Sequence, residues 1–161
     1  MAYWNKAWLL AAILLVATFA ARPASATEPP ADLCSLLPAA EASKTVGQTY
    51  DSPQKSIAPR PFPNTAEGTD CIYKRSKDVR ERKLVFRAYV DPSPSAAADL
   101  FARLSKFYGP PTPVVGLGDE AYFDKSHGLH VRKGKVRFYI AMDDFDEKQV
   151  KDLASRVAGQ L

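Results

Sequence analysis

Two stretches of the chain alternate apolar and polar side chains with a period of two, and they constrain the fold more than anything else in the sequence. Lys83–Val90, KLVFRAYV, puts Leu84, Phe86, Ala88 and Val90 on one side. Val136–Met142, VRFYIAM, does the same with Val136, Phe138, Ile140 and Met142. This period marks strands that bury one face, since successive side chains point to opposite sides of a sheet. Cys71–Lys74 reads as a strand leading into the first run across a charged turn, Ser76–Arg82. Ala121–Asp124 and Leu129–Arg132 read as strands before the second, and Lys133-Gly134-Lys135 closes a tight hairpin. Strands that follow one another in runs predict an antiparallel sheet, not a doubly wound one.

Between and around these runs the period changes to that of a helix. Pro38 suits a first turn, Ala39–Val46 continues it and Gly47 stops it. Asp91-Pro92-Ser93-Pro94 breaks a strand and starts a helix whose stripe is Ala97, Leu100, Phe101, Leu104 and Tyr108, ended by Gly109-Pro110-Pro111. After the acidic start Asp143–Glu147, a last stripe comprises Val150, Leu153, Ala154, Val157, Ala158 and Leu161. Residues 48–69 carry Pro53, Pro59, Pro61 and Pro63, a long irregular stretch with room for one edge strand. The expectation is an α+β domain over residues 27–161 in the order helix, strands, helix, strands, helix, with an antiparallel sheet and helices packed on one face.

The first 26 residues read as a removable export signal. Lys6 marks a short charged start, Ala7–Ala21 is apolar, and Ala24-Ser25-Ala26 supplies a small-residue cleavage site. The apolar run is shorter than the roughly 20 residues a spanning helix needs. Cys34 lies well past that run, where a lipidated cysteine would not sit, so no stable membrane anchor is expected after processing. The expected localisation is periplasmic or secreted. Two of the 22 basic residues, Lys6 and Arg22, fall in this leader, which halves the chain's net charge of +4. Such a balance gives no reason to expect nucleic acid as a partner.

Cys34 and Cys71 are the only cysteines, 37 residues apart. In an exported chain an even count reads as one disulfide. Closing a loop of that size stabilises by up to ~4 kcal/mol in the chain-entropy model. A metal pair and a redox pair are the competing readings; they are weakened by the lack of further ligands and of a C-x-x-C.

Several segments together carry a resemblance. Asp32-Leu33-Cys34-Ser35-Leu36-Leu37 leads a helix ending at Gly47, and Cys71-Ile72-Tyr73 follows. Later come Gly116-Leu117-Gly118-Asp119-Glu120-Ala121-Tyr122 and Leu129-His130-Val131-Arg132-Lys133-Gly134-Lys135, then a helix with Leu153-Ala154. This order resembles small exported bacterial domains of unknown function, periplasmic or lipoprotein, and the extracellular sensor domain of mycobacterial serine/threonine kinases. The resemblance spans nearly the whole mature chain. It implies an α+β sandwich with a cysteine bridge near the first helix, and no catalytic residues. The chain departs from it in lacking a lipobox and in having Pro38 where a polar helix cap is common.

Motifs for chemistry are sparse. Gly116 and Gly118 suit a tight turn, and the segment lacks the G-K-[ST] ending of a phosphate loop. His127 and His130, with Asp124 nearby, have a spacing that suits a metal on a helix, but Gly128 argues for a turn. There is no G-x-S-x-G around any serine. The acidic run at 143–147 is accounted for by a helix start. No catalytic residue, metal or cofactor is therefore expected.

The remaining surface of interest is the sheet face turned away from the helices. If Leu84, Phe86, Ala88, Phe138 and Ile140 point to the helices, then Arg87, Tyr89, Arg137 and Tyr139 point away, joined by His130 and Arg132. Aromatic and arginine side chains are favoured at recognition surfaces. The competing reading is an ordinary solvated face with cross-strand Tyr–Arg pairs. Lys74–Arg87 adds seven cations against Asp78 and Glu81, which read either as a basic lobe or as a charged turn that keeps an edge soluble. The leading expectation is an exported, non-enzymatic binding or sensor-like accessory module of the cell envelope. Its partner would be an envelope protein or an anionic ligand. On that reading, Arg137→Glu with Tyr139→Ala abolishes binding and leaves the melting temperature nearly unchanged. The alternative is a small periplasmic enzyme with a cleft near the 48–69 stretch.

Overall fold

The computed structural model describes residues 28–161. The leader expected at residues 1–26 lies outside them. A 3-10 turn, Leu33–Leu36, precedes α1 (Ala39–Val46). Strands β1 (Gln54–Ala58), β2 (Gly68–Lys74) and β3 (Lys83–Val90) follow, then α2 (Pro94–Phe107). The chain continues through β4 (Thr112–Pro113), β5 (Glu120–Phe123), β6 (Leu129–Lys133), β7 (Val136–Met142) and α3 (Glu147–Ala158). All pairings are antiparallel, in the order β1-β2-β3-β7-β6-β5-β4. The long strands β3 and β7 lie side by side at the centre, so their two alternating patterns meet in register: Phe86 opposite Ile140, Ala88 opposite Phe138.

The α+β class and the order of elements are those the sequence predicts. One face of the sheet is the dry core. Leu84, Phe86, Leu129, Val131, Phe138 and Ile140 point into it and meet Val150, Leu153 and Val157 of α3. The helix starts follow from local chemistry. Ser93 accepts a bond from the Ala96 amide, and Asp146 one from the Gln149 amide, each satisfying a donor that the helix leaves open. Gly47 closes α1 at φ 71°, a conformation that favours glycine. Cys34 and Cys71 form a disulfide with their Cα atoms 5.7 Å apart, tying the 3-10 turn to β2. No helix among the described residues is long and apolar enough to cross a membrane.

The layering corrects the expectation that all helices share one face. α1 and α3 cover the core side, whereas α2 lies on the opposite side. There the Phe101 ring meets Tyr122 edge-on at 5.0 Å, and Tyr108, at the end of α2, meets His130 at 5.2 Å. The reason is general. An apolar stripe states that a helix buries one side, but not which face of a sheet will receive it.

A roofed cavity on the outer sheet face

The residues turned away from the core form ordered rows, because strand register aligns them. Asp70 pairs across to Arg87, Arg87 to Tyr139, Tyr139 to His130 and His130 to Tyr122. A second row runs Gly68, Tyr89, Arg137, Arg132 and Glu120. α2 and the 59–65 segment roof the middle of these rows and leave a cavity of about 370 Å³. Its roof is Phe101, Leu104 and Tyr108 with Pro61; its floor includes Val85, Arg87, Tyr139 and His130. Arg103 lies over the Phe62 ring, and Phe62 packs edge-on against Phe107, which fastens the proline-rich stretch to α2. The Tyr89 hydroxyl donates to the Pro59 carbonyl at 2.9 Å and ties the same stretch to the sheet.

His130 is the most constrained group in the cavity. Its ring stacks on Tyr122 at 4.7 Å and lies 4.8 Å from Tyr139. Nε2 is 2.9 Å from Oδ2 of Asp124. The other Asp124 oxygen accepts from the amides of Ser126 (2.8 Å) and Gly128 (2.9 Å), an Asx turn that fixes the carboxylate. Burial pushes the Asp124 carboxyl up, but the bonds from His130, Gly128 and Ser126 outweigh it and hold it below its ordinary range. An ionised Asp124 accepts Nε2–H and leaves Nδ1 as the acceptor nitrogen of the neutral ring.

The ring of Tyr139 occupies the place of a side chain at residue 128. A Cβ there would lie 2.1 Å from it, so Gly128 is required for this approach. Burial raises the Tyr139 phenol above its usual range, as it does for Tyr89, so both remain neutral donors. The Tyr122 hydroxyl is buried without a partner among the described residues, the kind of atom an ordered water serves.

The cations are already engaged. Arg87 donates to Asp70 through Nε (2.5 Å) and Nη2 (3.0 Å), and this bonding holds the guanidinium firmly charged. Arg137 grips Asp91 through the same two nitrogens, at 2.5 and 3.0 Å, with both side chains almost fully buried at 3% and 0% exposure. The Tyr89 ring lies 4.8 Å from the Arg137 guanidinium.

No family model, curated protein or solved structure matches this chain.

Of the residues that the sequence singles out, Arg87, Tyr89, His130, Arg137 and Tyr139 gather around the cavity. Arg132 does not; it bonds Asp119 at 2.9 Å and Glu120 at 3.3 Å, away from the lining. The face is roofed, not an open solvated one, and Arg137 is a buried brace. Arg137→Glu therefore cannot leave the melting temperature unchanged, because it would set a carboxylate against Asp91. The two histidines part company: His127 is exposed and stacks on Phe145 at 4.6 Å. Among the described residues no group of three His, Cys, Asp or Glu side chains is placed to hold a metal. In the basic segment, Arg75 reaches Asp144 and Arg82 reaches Asp78 and Asp144, which supports the charged-turn reading. Sequence reasoning missed Val85, Phe101, Leu104 and Tyr108 as lining residues. The D-x-x-x-G spacing of Asp124 and Gly128 was the available signal for the turn that anchors His130.

Proposed function

We propose that the chain is an exported, non-enzymatic module of the cell envelope, sensor-like or accessory, that binds a small molecule between its sheet and α2. The observation that carries this reading is the cavity itself. It has mainly aromatic and aliphatic walls and a few convergent polar groups, the usual make-up of a small-molecule site. Tyr108, 40% exposed, lies at its rim and gives a path to solvent. Export is supported by the leader-like start and is compatible with the Cys34–Cys71 disulfide.

The test is native mass spectrometry of the protein released gently from the exported fraction of its own cells. A small added mass is expected, and it should be missing from a Val85→Phe variant. Val85 lines the cavity on a strand, where a larger aromatic side chain is well accommodated, so this change fills the space without breaking the sheet. An added mass that the filled variant keeps overturns the assignment to this cavity. The same spectrum reports leader removal.

A second reading has one observation in its favour. Asp124 orients His130 within the cavity, and an imidazole so held can take a proton from water or from a bound hydroxyl. If the module is an enzyme, turnover of small ester or amide substrates should vanish in His130→Ala. Undiminished turnover in that variant removes the dyad from consideration.

A further inference from the structure

We infer that the cavity selects an uncharged, planar aromatic molecule bearing a hydroxyl group, and discriminates against anions of the same shape. This rests on the small-molecule reading above and narrows it. An anionic ligand was one of the two partners expected from sequence, beside an envelope protein, because arginines on a sheet face suggest an anion. In the folded protein each cation facing the cavity has its own carboxylate. Arg87 is bonded twice to Asp70, and Arg137 twice to Asp91. His130 with Asp124 sums to zero or to one negative charge, whichever protonation state the imidazole adopts. The three pairs together are never positive. A carboxylate or phosphate entering here loses its hydration and gains no unpaired cation in return.

What the cavity does offer is flat apolar surface with a donor-bearing and an acceptor-bearing side chain in its lining. The Phe101, Tyr108, Tyr139 and His130 rings supply faces and edges for a planar ligand. Burial raises the Tyr139 phenol and keeps its proton in place, so its hydroxyl, which lies against Gly128, is a donor. Nδ1 of His130, in the tautomer that Asp124 holds, is an acceptor. The Tyr139 and His130 rings are 4.8 Å apart. A ligand hydroxyl has the chemistry for both, donating to Nδ1 and accepting from Tyr139. A carboxylate can only accept, and it would set its charge against the Nδ1 lone pair.

The experiment is calorimetric titration of the exported protein at neutral pH with 2-naphthol and with 2-naphthoate, which share one ring system and differ in charge. The naphthol should bind at least about tenfold more tightly. Tyr139→Phe should weaken naphthol by roughly five- to tenfold, the loss of one hydrogen bond, and leave naphthoate unchanged. Val85→Phe should abolish binding of both, with folding of each variant checked by its melting curve. Naphthoate binding as tightly as naphthol or tighter, and competing with it, overturns the selection for neutral ligands while the cavity reading stands. Binding of either probe that survives Val85→Phe, or no binding of either to the parent protein, overturns the cavity reading and this inference with it.

Discussion

The two faces of the one sheet solve different problems. On the core side, Leu84, Phe86, Leu129 and Ile140 are wholly buried in a hydrophobic cluster with residues of α1, α3 and the 3-10 turn. On the far side the same strands present Arg87, Arg137, His130 and Tyr139 to α2, with carboxylates from Asp70, Asp91 and Asp124 brought in as partners. The first face is filled by a cluster of buried apolar side chains. The second is spanned by ion pairs and holds a cavity. The difference teaches that one sheet can carry apolar packing on one side and paired charges around a cavity on the other, because successive side chains alternate between its faces. Buried ion pairs are poor stabilisers compared with apolar packing. Their use on one face alone fits a surface kept for binding.

Adjacent residues of β3 and the polar brace beside them give the largest tests of this contrast. Phe86→Ala empties a place in the dry core and should cost about 3–5 kcal/mol, read as a shift in the urea midpoint. Val85→Ala, one residue away on the cavity side, should cost less than about 1.5 kcal/mol because its site is already partly open. Equal losses would show that the two faces are packed alike. Asp91→Ala should also cost about 3–5 kcal/mol, since it strands the Arg137 charge. The double variant Asp91→Leu with Arg137→Met should recover most of that loss. A double variant as unstable as the single one would mean that the pair contributes packing that no apolar couple reproduces.

The disulfide comes next in size. It joins the 3-10 turn to β2 on the core side, so its reduction should loosen that face first. Replacing both cysteines by serine should lower stability by about 2–4 kcal/mol. Hydrogen exchange should then rise in α1 and β2 sooner than in α2. Early exposure of α2 would reverse the assignment of the bridge to the core layer.

Much of the architecture was legible in the sequence, and the reasons are local. The period of two in Lys83–Val90 and Val136–Met142 states which side chains share a face, and the register confirms the split. Ser93, Asp146 and Gly47 mark helix ends through chemistry that needs no tertiary partner. The side taken by α2 was not legible, because an apolar stripe carries no address. The fate of the arginines was also hidden. Asp70 faces Arg87 directly across the β2–β3 pairing, but Asp91 lies just past the end of β3 and meets Arg137 only once β3 and β7 are paired. The candidate site was therefore found as a set of residues on a face, while its roof, its volume and its charge balance depend on contacts between segments distant in the chain.

The smallest effect concerns acid. Asp124 titrates below its ordinary value in the folded protein, with 3.8 as the value of the free side chain. A carboxyl held down in this way contributes stability that is fully present above the unfolded value and is lost as pH falls through the lower, folded value. Asp124→Asn should therefore cost about 1 kcal/mol at neutral pH, the net worth of a hydrogen bond to a charged group less what the amide retains. Thermal unfolding at a series of acid pH values should show the gap between parent and variant closing below about pH 4. Asp32 and Asp78 are also held down by their partners, so the parent's acid limb will be flattened only in part. Val150 lies in the apolar cluster away from Asp124, so Val150→Ala should shift the whole profile down without changing its shape. A Val150→Ala profile that also converges with the parent in acid would break the division of labour between the two faces, because it would place a pH-sensitive contribution on the side described here as dry.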